Sequence, residues 1–340
     1  LSRRYQLKIT ISIGEILYYL FWITMLAAKG LGLYEGMLIY NICLLFSFCC
    51  ILLKIVLERH NVCEWIAILL LLMLGGIIYL SSQEKAPLIY IMMVIGMKNI
   101  PVKRVFQIGL PVWLFCFIWM AFSEITGLTT GCVFVHEKLG LGPILRWSFG
   151  YPHPNVMQIS YAVLTAFILY LSNRTGKKQF ELIGWLFMGN CYVFLYSVSY
   201  TGVILTTLCL LIFYYFVNRR SISKIEQIVI KCVLPFCVLF SIFGPLLTEK
   251  GMILENLDPL FDKLLNTRFL ASRLYLSRGI TLFGSTPEQL NISFALDSSF
   301  VSLLIRDGVI FFIFILIGYW SLINYYIKTK RNKELAIILS

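Results

Sequence analysis

The chain has 340 residues, of which 59% are apolar, and its formal net charge is +12. Soluble domains are about 45–50% apolar, so the polar residues are too few to cover a water-soluble globule, and lipid must solvate much of the chain. This composition excludes an ordinary soluble enzyme. The positive-inside bias of membrane proteins explains the charge better than a nucleic-acid partner does.

A membrane-spanning helix needs about 20 predominantly apolar residues. Ten apolar runs are predicted as spans: 9–28, 36–57, 62–81, 86–97, 105–123, 155–172, 180–198, 201–217, 227–247 and 307–327. The fourth run is short for a complete crossing and ends at Lys98. The pattern predicts an all-α, polytopic integral membrane protein with one membrane domain over residues 1–340. The apolar run Leu335–Leu339 predicts a further helix that continues past Ser340.

The basic residues predict the orientation of these spans. If the N-terminus, with Arg3, Arg4 and Lys8, is cytoplasmic, every cytoplasmic connection carries several basic residues, as follows: Lys54 and Arg59; Lys98, Lys103 and Arg104; Arg174, Lys177 and Lys178; Arg219, Arg220 and Lys224; Lys328, Lys330, Arg331 and Lys333. The short opposite loops 29–35 and 81–86 carry one Lys each. Because loop Lys and Arg resist translocation, we expect an even number of spans and a cytoplasmic N-terminus.

Two extracytoplasmic loops, 124–154 and 248–306, are long and rich in aromatic residues. Ordered loops of this length are usually functional. Within the second loop, residues 256–279 show apolar positions at helical spacing and are predicted as an amphipathic helix at the membrane face. Residues 299–306 are predicted as a half-helix that leads into the last span.

The first candidate site is the motif Arg146-Trp-Ser-Phe-Gly-Tyr-Pro-His153-Pro-Asn155. Its two prolines and its glycine prevent a helix and predict a turn, and Asn155 is predicted to cap the helix that follows. His153 is rigidly displayed between the prolines, and its usual pKa suits a general base or a hydrogen-bond donor. The alternative is an interfacial turn with a capping Asn and an Arg that extends to the headgroups.

The second candidate is the set of extracytoplasmic arginines Arg268, Arg273 and Arg278. Arginine recognises phosphate through a bidentate fork, and arginines on this side run against the positive-inside bias. On an ideal helix, the spacing of five places successive members about 140° apart, so they do not form one stripe. The alternative is simple attraction to lipid headgroups.

The third candidate lies where the last span begins. Asp297 is predicted to cap a helix that starts at Ser298, while Arg306 and Asp307 lie within an apolar segment. Ionisable groups at such depth normally face a cavity or pair with each other. The sequence contains no Asp-x-Asp pair, no His/Cys metal-ligand cluster, no Walker motif and no glycine-rich dinucleotide turn. We therefore predict no metal and no cofactor.

At these residues the chain resembles the bacterial O-antigen polymerase and ligase family, and most closely the Wzy-type polymerases of capsular and exopolysaccharide repeat units. The similarity covers the C-terminal half of the chain. It is carried by the motif from Arg146 to Asn155 and by four further segments: Ser197-Val-Ser-Tyr-Thr-Gly202, Leu270-Ala-Ser-Arg273-Leu-Tyr275, Thr281-Leu-Phe-Gly284 and Leu296-Asp297-Ser-Ser-Phe-Val-Ser-Leu-Leu-Ile-Arg306-Asp-Gly308.

The resemblance implies a fold related to the C-class membrane glycosyltransferases, in the bacterial cell membrane and with an extracytoplasmic active site. It implies a metal-independent enzyme that joins undecaprenyl-diphosphate-linked oligosaccharide repeat units during capsule or exopolysaccharide synthesis. Its partners would be these lipid-linked sugars, membrane lipid, a flippase and a chain-length regulator. The implied roles are diphosphate binding by Arg146, Arg273 and Arg306, catalysis at the acceptor hydroxyl by His153 or Asp297, and support from Asn155, Arg268 and Arg278.

Two other functions fit the sequence. A ligase of the same family would transfer the glycan to a different acceptor, and the sequence does not separate it from a polymerase. A polysaccharide transporter or flippase would favour paired helix repeats, broken helices at the midplane and short loops on both sides. The two long extracytoplasmic loops favour an enzyme over a transporter.

Overall fold

The computed structural model describes residues 12–129, 133–138, 142–219, 221–265, 267–290, 292, 296 and 298–339, without the side chains of 136–138 and 262–263. The helices of these residues are α1 (Ile13–Gly30), α2 (Leu38–Leu57), α3 (Val62–Ser82), α4 (Ala86–Gly96), α5 (Val102–Ile125), α6 (Pro154–Leu171), α7 (Gly176–Ser197), α8 (Tyr200–Val217), α9 (Lys224–Leu247), α10 (Asp258–Leu265), α11 (Arg268–Ser277), α12 (Ser299–Arg306), α13 (Gly308–Thr329) and α14 (Asn332–Leu339). Strands β1 (Val133–Lys138) and β2 (Gly142–Trp147) form an antiparallel hairpin, and Glu255–Leu257 is a 3-10 turn.

Helices occupy all ten predicted spans, although residues 9–11 of the first lie outside the described residues. Seven helices of the described chain are long and apolar enough to cross a membrane: α2, α3, α5, α6, α8, α9 and α13. The chain is therefore a helical, polytopic membrane protein. Helix α4 has 11 residues and is only about 16 Å long, which is half of a bilayer core of about 30 Å. The number of crossings and the side of the N-terminus stay predictions.

The chain forms two compact units. Of the described residues, those between 12 and 62 and between 92 and 214 belong to the first unit, and those between 63 and 91 and between 215 and 339 belong to the second. The first unit holds α1, α2, α5, α6, α7 and the hairpin, together with most of α8. The second holds α3 and α9 to α14. The single membrane domain predicted from the sequence stays a prediction.

In the first unit, the helices pack in series, α1 against α2 and α5, α5 against α6, and α6 against α7. The indole Nε1 of Trp113 in α5 donates to the Ser160 carbonyl of α6 over 2.8 Å. A Cβ at Gly202 of α8 would lie 2.4 Å from Cγ of Gln158 in α6. This contact requires glycine, since small residues let membrane helices approach closely.

The hairpin lies inside the predicted loop 124–154 and was not expected in an all-α protein. Its register pairs Val133 with Trp147, Phe134 with Arg146 and Val135 with Leu145. Successive strand side chains point to opposite faces, so the paired residues form two faces. One face consists of Val133, Val135, Leu145 and Trp147, and the other includes Phe134 and Arg146.

The predicted amphipathic helix over 256–279 is wrong as a single element. The structure breaks it into the 3-10 turn, α10 and α11, with Thr267 in a left-handed conformation at φ +62° between the two helices. The half-helix predicted at 299–306 is confirmed as α12. It ends beside Asp307, directly before α13.

Residues 281–285 cross the start of α13 at backbone contact distance. The amides of Val309 and Ile310 donate to the carbonyls of Thr281 and Leu282 over 3.1 and 3.3 Å, and the Ser285 amide donates to the Ile305 carbonyl over 3.0 Å. The first amides of a helix have no partner within it, and here the crossing segment supplies acceptors. Gly284 makes this possible, because its φ is +84° and a Cβ would lie 1.9 Å from the Arg306 carbonyl oxygen.

We predict that Gly284→Ala destabilises the protein far more than Gly251→Ala. Gly251 has nearly the same φ, +86°, but nothing lies within 4 Å of its Cβ position. Gly251→Ala should cost about 1 kcal/mol for the left-handed backbone. Gly284→Ala should cost about 2–3 kcal/mol more, because the Arg306 backbone must move. Thermal unfolding in detergent measures both, and equal melting temperatures would contradict the close crossing.

Candidate functional site

Arg146 lies at the junction of three elements of the first unit. The alternation of β2 turns its side chain inward, where it is buried, and leaves Leu145 and Trp147 exposed. Its Nε donates to the Ser197 carbonyl at the end of α7 over 2.7 Å. Its Nη2 donates to Oδ1 of Asn155, in the first turn of α6, over 2.6 Å.

The charge of Arg146 is not compensated within the described part of the chain. Both of its hydrogen-bond acceptors are neutral, and no described carboxylate forms a salt bridge with it. Burial lowers the pKa of its guanidinium, but an arginine stays protonated in proteins. Because a buried cation without a counter-charge is costly, this position is suited to an anionic ligand.

A chain of buried amides and hydroxyls holds the acceptor of Arg146 in place. Ser197 Oγ donates to Gln158 Oε1 over 2.7 Å. Gln158 Nε2 donates to Asn190 Oδ1, also over 2.7 Å. The Asn190 Nδ2 group then donates to the Val203 carbonyl and to Thr207 Oγ1 over 3.0 and 3.1 Å. The network connects α6, α7 and α8 and fixes the end of α7 that Arg146 contacts.

Sequence reasoning missed Gln158 and Asn190. The available signal was an amide side chain inside each of two apolar helices, since polar residues between membrane helices usually bond to one another. Their partnership could not be identified, because the two residues are far apart along the chain. Ser197 was noted only as part of a turn motif.

The predicted capping role of Asn155 is wrong, because His153 caps α6. The Asn155 amide donates to Nδ1 of His153 over 3.1 Å, while the Asn155 side chain accepts from Arg146. The neutral imidazole therefore carries its proton on Nε2. In this tautomer Nε2 carries a hydrogen and can donate it. The nitrogen that could accept a proton is Nδ1, which already accepts the Asn155 amide, so His153 can act as a general base only if the cap is broken.

Tyr151 fixes the turn between the hairpin and α6. Its hydroxyl lies 2.9 Å from Ser160 Oγ, and burial raises its pKa to about 12. It therefore stays protonated in the physiological range. The ring of Phe134, on the inner side of the hairpin, lies 5.1 Å from the His153 ring, so the hairpin packs directly against the start of α6.

The guanidinium of Arg273, in the second unit, is bound to other groups of the protein. Its Nε donates to the Pro245 carbonyl over 2.8 Å, and its Nη2 donates to Thr248 Oγ1 over 3.1 Å. The same Nη2 forms an ion pair with Asp258. These contacts hold α11 against the end of α9 and the start of α10, so the charge of Arg273 is already compensated.

The neighbouring arginines differ from Arg273. Arg268 is half-buried and Arg278 is exposed. Neither side chain forms a hydrogen bond or an ion pair with another described residue.

Arg306 is the last residue of α12 and lies beside the carboxylate of Glu84. Its Nε is 2.9 Å from Oε1 of Glu84, which is an ion-pair distance without the alignment of a hydrogen bond. The adjacent Asp307 is buried. Burial and the charge of Glu84 raise its pKa to about 7, against the opposing effect of Arg306. Asp307 therefore changes its charge near neutral pH.

Asp297 lies outside the described residues, so its predicted catalytic role stays a prediction. The predicted cap is wrong, because α12 begins at Ser299, one residue later than expected, and Ser298 occupies the N-cap position. The structure thus brings Arg146, His153 and Asn155 together in the first unit. It places Arg273 and Arg306 in the second, each beside a carboxylate of its own.

Among the described side chains, no three His, Cys, Asp or Glu residues are grouped so that they could hold a metal ion. Comparison of the chain with models of protein families, with curated proteins and with solved structures finds no match. The chemistry of the side chains is therefore the basis on which a function is assigned.

We predict that Asp307→Asn changes the dependence of stability on pH. The folded-state pKa of about 7 lies above the ordinary value of 3.8. As pH rises through this interval, the unfolded state releases its proton first, and the wild type loses stability. The Asn variant should match the wild type at about pH 4 and exceed it above about pH 7, by at most about 4 kcal/mol.

Thermal unfolding in detergent between these pH values measures the effect. Glu249→Gln is the matched control, since Glu249 is exposed and should leave the profile unchanged. Parallel profiles for the wild type and Asp307→Asn would contradict the shift.

Proposed function

We propose that the protein is a membrane glycosyltransferase that polymerises undecaprenyl-diphosphate-linked oligosaccharide repeat units for capsule or exopolysaccharide synthesis. It acts on the outer face of the bacterial cell membrane, with a cytoplasmic N-terminus, and transfers the growing chain from one lipid carrier to the sugar of a new repeat unit. The reaction needs no metal, since arginines take the place of a cation at the diphosphate. The observation that supports the proposal is the buried guanidinium of Arg146, which no carboxylate of the described residues compensates.

The leaving group explains why such a cation is useful. When the glycosidic bond to the lipid carrier breaks, negative charge develops on the diphosphate. Fixed donors that are aimed at developing charge in a site of low dielectric constant stabilise the transition state. Arg146 is fixed by Ser197 and Asn155, so it needs little reorganisation when the anion forms.

The hydrogen bonds of Arg146 also leave part of its fork for a ligand. A guanidinium has five N–H donors, and within the described residues Arg146 uses one on Nε and one on Nη2. The remaining donors can meet phosphate oxygens in bidentate geometry. The neutral acceptors orient the group without compensating its charge.

Arg273 and Arg306 contribute to diphosphate binding by exchanging a carboxylate partner for a phosphate oxygen. Each has a carboxylate beside it, Asp258 or Glu84, and a phosphate oxygen would replace or share that partner. Such a pair keeps the cation stable when the site is empty. Arg268 and Arg278 support the binding as additional positive charge near α11.

The acceptor sugar hydroxyl requires a base, for which the sequence offers His153 and Asp297. The geometry at α6 favours a capping role for His153, which leaves Asp297 as the proposed base. A carboxylate in this role would accept the hydroxyl proton as the new glycosidic bond forms. The product is a glycan longer by one repeat unit, and the released carrier retains its diphosphate.

We predict that Arg146→Gln weakens the binding of undecaprenyl diphosphate to the purified protein. Charged hydrogen bonds contribute about 1.5–3 kcal/mol each, so the affinity should fall roughly ten- to hundredfold. Arg146→Lys should be nearly as weak, because lysine keeps the charge and loses the fork.

Arg174→Gln is the control, since Arg174 is exposed and lies in a predicted cytoplasmic connection. Its affinity should equal that of the wild type. Binding is measured with each variant at matched purity and monodispersity. An Arg146→Gln variant that binds undecaprenyl diphosphate like the wild type would remove Arg146 from the site and, with it, the main support for the proposal.

We predict that His153→Asn retains most polymer formation, whereas His153→Ala loses stability. Asn is a good N-cap, and loss of a cap typically costs about 1 kcal/mol. The experiment compares polymer formed from purified lipid-linked repeat units with both variants at equal membrane abundance. If His153 is the general base, the Asn variant should instead lose roughly 10²–10⁴-fold in turnover, and that outcome would return the role to His153.

A further inference from the structure

The hairpin presents an apolar face that the described protein does not cover. This face, called here the apolar hairpin face, consists of Val133, Val135, Leu145 and Trp147. They are 52%, 70%, 71% and 50% exposed. They form two adjacent cross-strand pairs, Val133 with Trp147 and Val135 with Leu145. The exposure of such an aliphatic and aromatic surface to water is energetically unfavourable.

The opposite side of the hairpin fixes its orientation. Phe134 packs near the His153 ring, and Arg146 is bonded to Ser197 and Asn155. The hairpin therefore cannot rotate to bury the apolar hairpin face without breaking the contacts of Arg146. The face is directed away from the start of α6 by the alternation of the strands.

Arg146 also fixes how deep the hairpin lies. It bonds to Asn155, in the first turn of α6, which is one of the helices able to cross the membrane. Leu145 and Trp147 flank Arg146 in β2, so they are level with the end of that helix. The end of a spanning helix marks the boundary between the acyl chains and the headgroups.

The side of α7 next to the hairpin has the same character. The Trp147 and Phe149 rings contact the Tyr196 ring at 6.2 and 4.7 Å between centroids. Tyr192 and Leu195 on α7 are exposed. Aromatic residues of this kind are enriched at the membrane–water interface, so the apolar hairpin face continues the lipid-facing surface of α7.

We propose that the apolar hairpin face is inserted into the bilayer at the boundary between headgroups and acyl chains. The hairpin is then a membrane-embedded element and not a loop in the aqueous phase. The lipid places Leu145 and Trp147 at one depth, and Arg146 between them projects into the protein at that same depth. This inference concerns the lipid surface and holds whether or not the protein is a polymerase.

The experiment uses the full chain in vesicles of phosphatidylethanolamine and phosphatidylglycerol. A photoreactive p-benzoylphenylalanine is placed at Leu145, and in a matched variant at Phe134, which lies on the opposite face of the hairpin and packs near the His153 ring. Irradiation of the Leu145 variant should give an adduct of one chain with one phospholipid, detected by intact-mass spectrometry. The Phe134 variant should give at least tenfold less of it.

The same experiment can overturn the inference. An adduct of two chains, at twice 39.2 kDa, would show that a second copy covers the face. A Leu145 variant with no more lipid adduct than the Phe134 variant would show that the face lies in water or against another partner.

Trp147 provides a second measurement without an unnatural residue. The chain has seven tryptophans, so the fluorescence difference between the wild type and Trp147→Phe isolates this one. Lipids brominated near the glycerol backbone should quench the difference signal at least twofold more than aqueous acrylamide does. The reverse order of quenching would contradict insertion. Phe keeps the apolar character, and the unfolding temperature of the variant is checked to exclude misfolding.

Discussion

The guanidinium of Arg146 joins three parts of the chain through neutral acceptors. It comes from β2, bonds to the side chain of Asn155 in α6 and bonds to the carbonyl of Ser197 at the end of α7. A carboxylate in either position would make this a closed ion pair. Within the described residues, an amide and a peptide carbonyl hold the group in one orientation and leave its charge uncompensated. Its two hydrogen bonds connect the hairpin to the start of α6 and to the end of α7.

The buried amides behind Ser197 explain how such a site persists inside an apolar helical assembly. Gln158, Asn190 and Ser197 are fully buried, and their side-chain hydrogen bonds form one connected chain. In a low-dielectric environment an unpaired amide is costly, and a satisfied network is correspondingly rigid. The Arg146 acceptor is therefore part of a unit that includes three helices. In the second unit, Arg273 shows the opposite arrangement, in which Asp258 takes up the charge.

The sequence was sufficient for the features that depend on lipid or on local order along the chain. Every apolar run predicted a helix because lipid offers the backbone no other hydrogen-bond partners, and the half-helix α12 was predicted at 299–306, where it leads into the last span. The grouping of Arg146, His153 and Asn155 followed from their closeness in sequence. Which of the last two caps α6 could not be decided from residue type, since both side chains can accept an amide hydrogen bond. The hairpin was not predicted because its two six-residue strands lie between membrane helices, in a loop whose length and aromatic content are typical of a functional loop. The pairs Gln158–Asn190, Arg273–Asp258 and Arg306–Glu84 require the fold, because each joins residues that local patterns do not connect.

Because the side chains of β2 alternate between two faces, the number of residues in this strand decides which side chains point inward, whereas the identity of its apolar residues matters less. Leu145, Arg146 and Trp147 point alternately outward, inward and outward, and removal of one residue between Gly142 and Arg146 would exchange the two sides. Trp147 would then enter the polar pocket beside Ser197, while the arginine would face the opposite way. Exchange of one aliphatic residue for another at Val135 or Leu145 preserves the alternation and leaves the arginine in place. Loops commonly tolerate insertions and deletions, but this one should accept substitutions and reject any odd change in length.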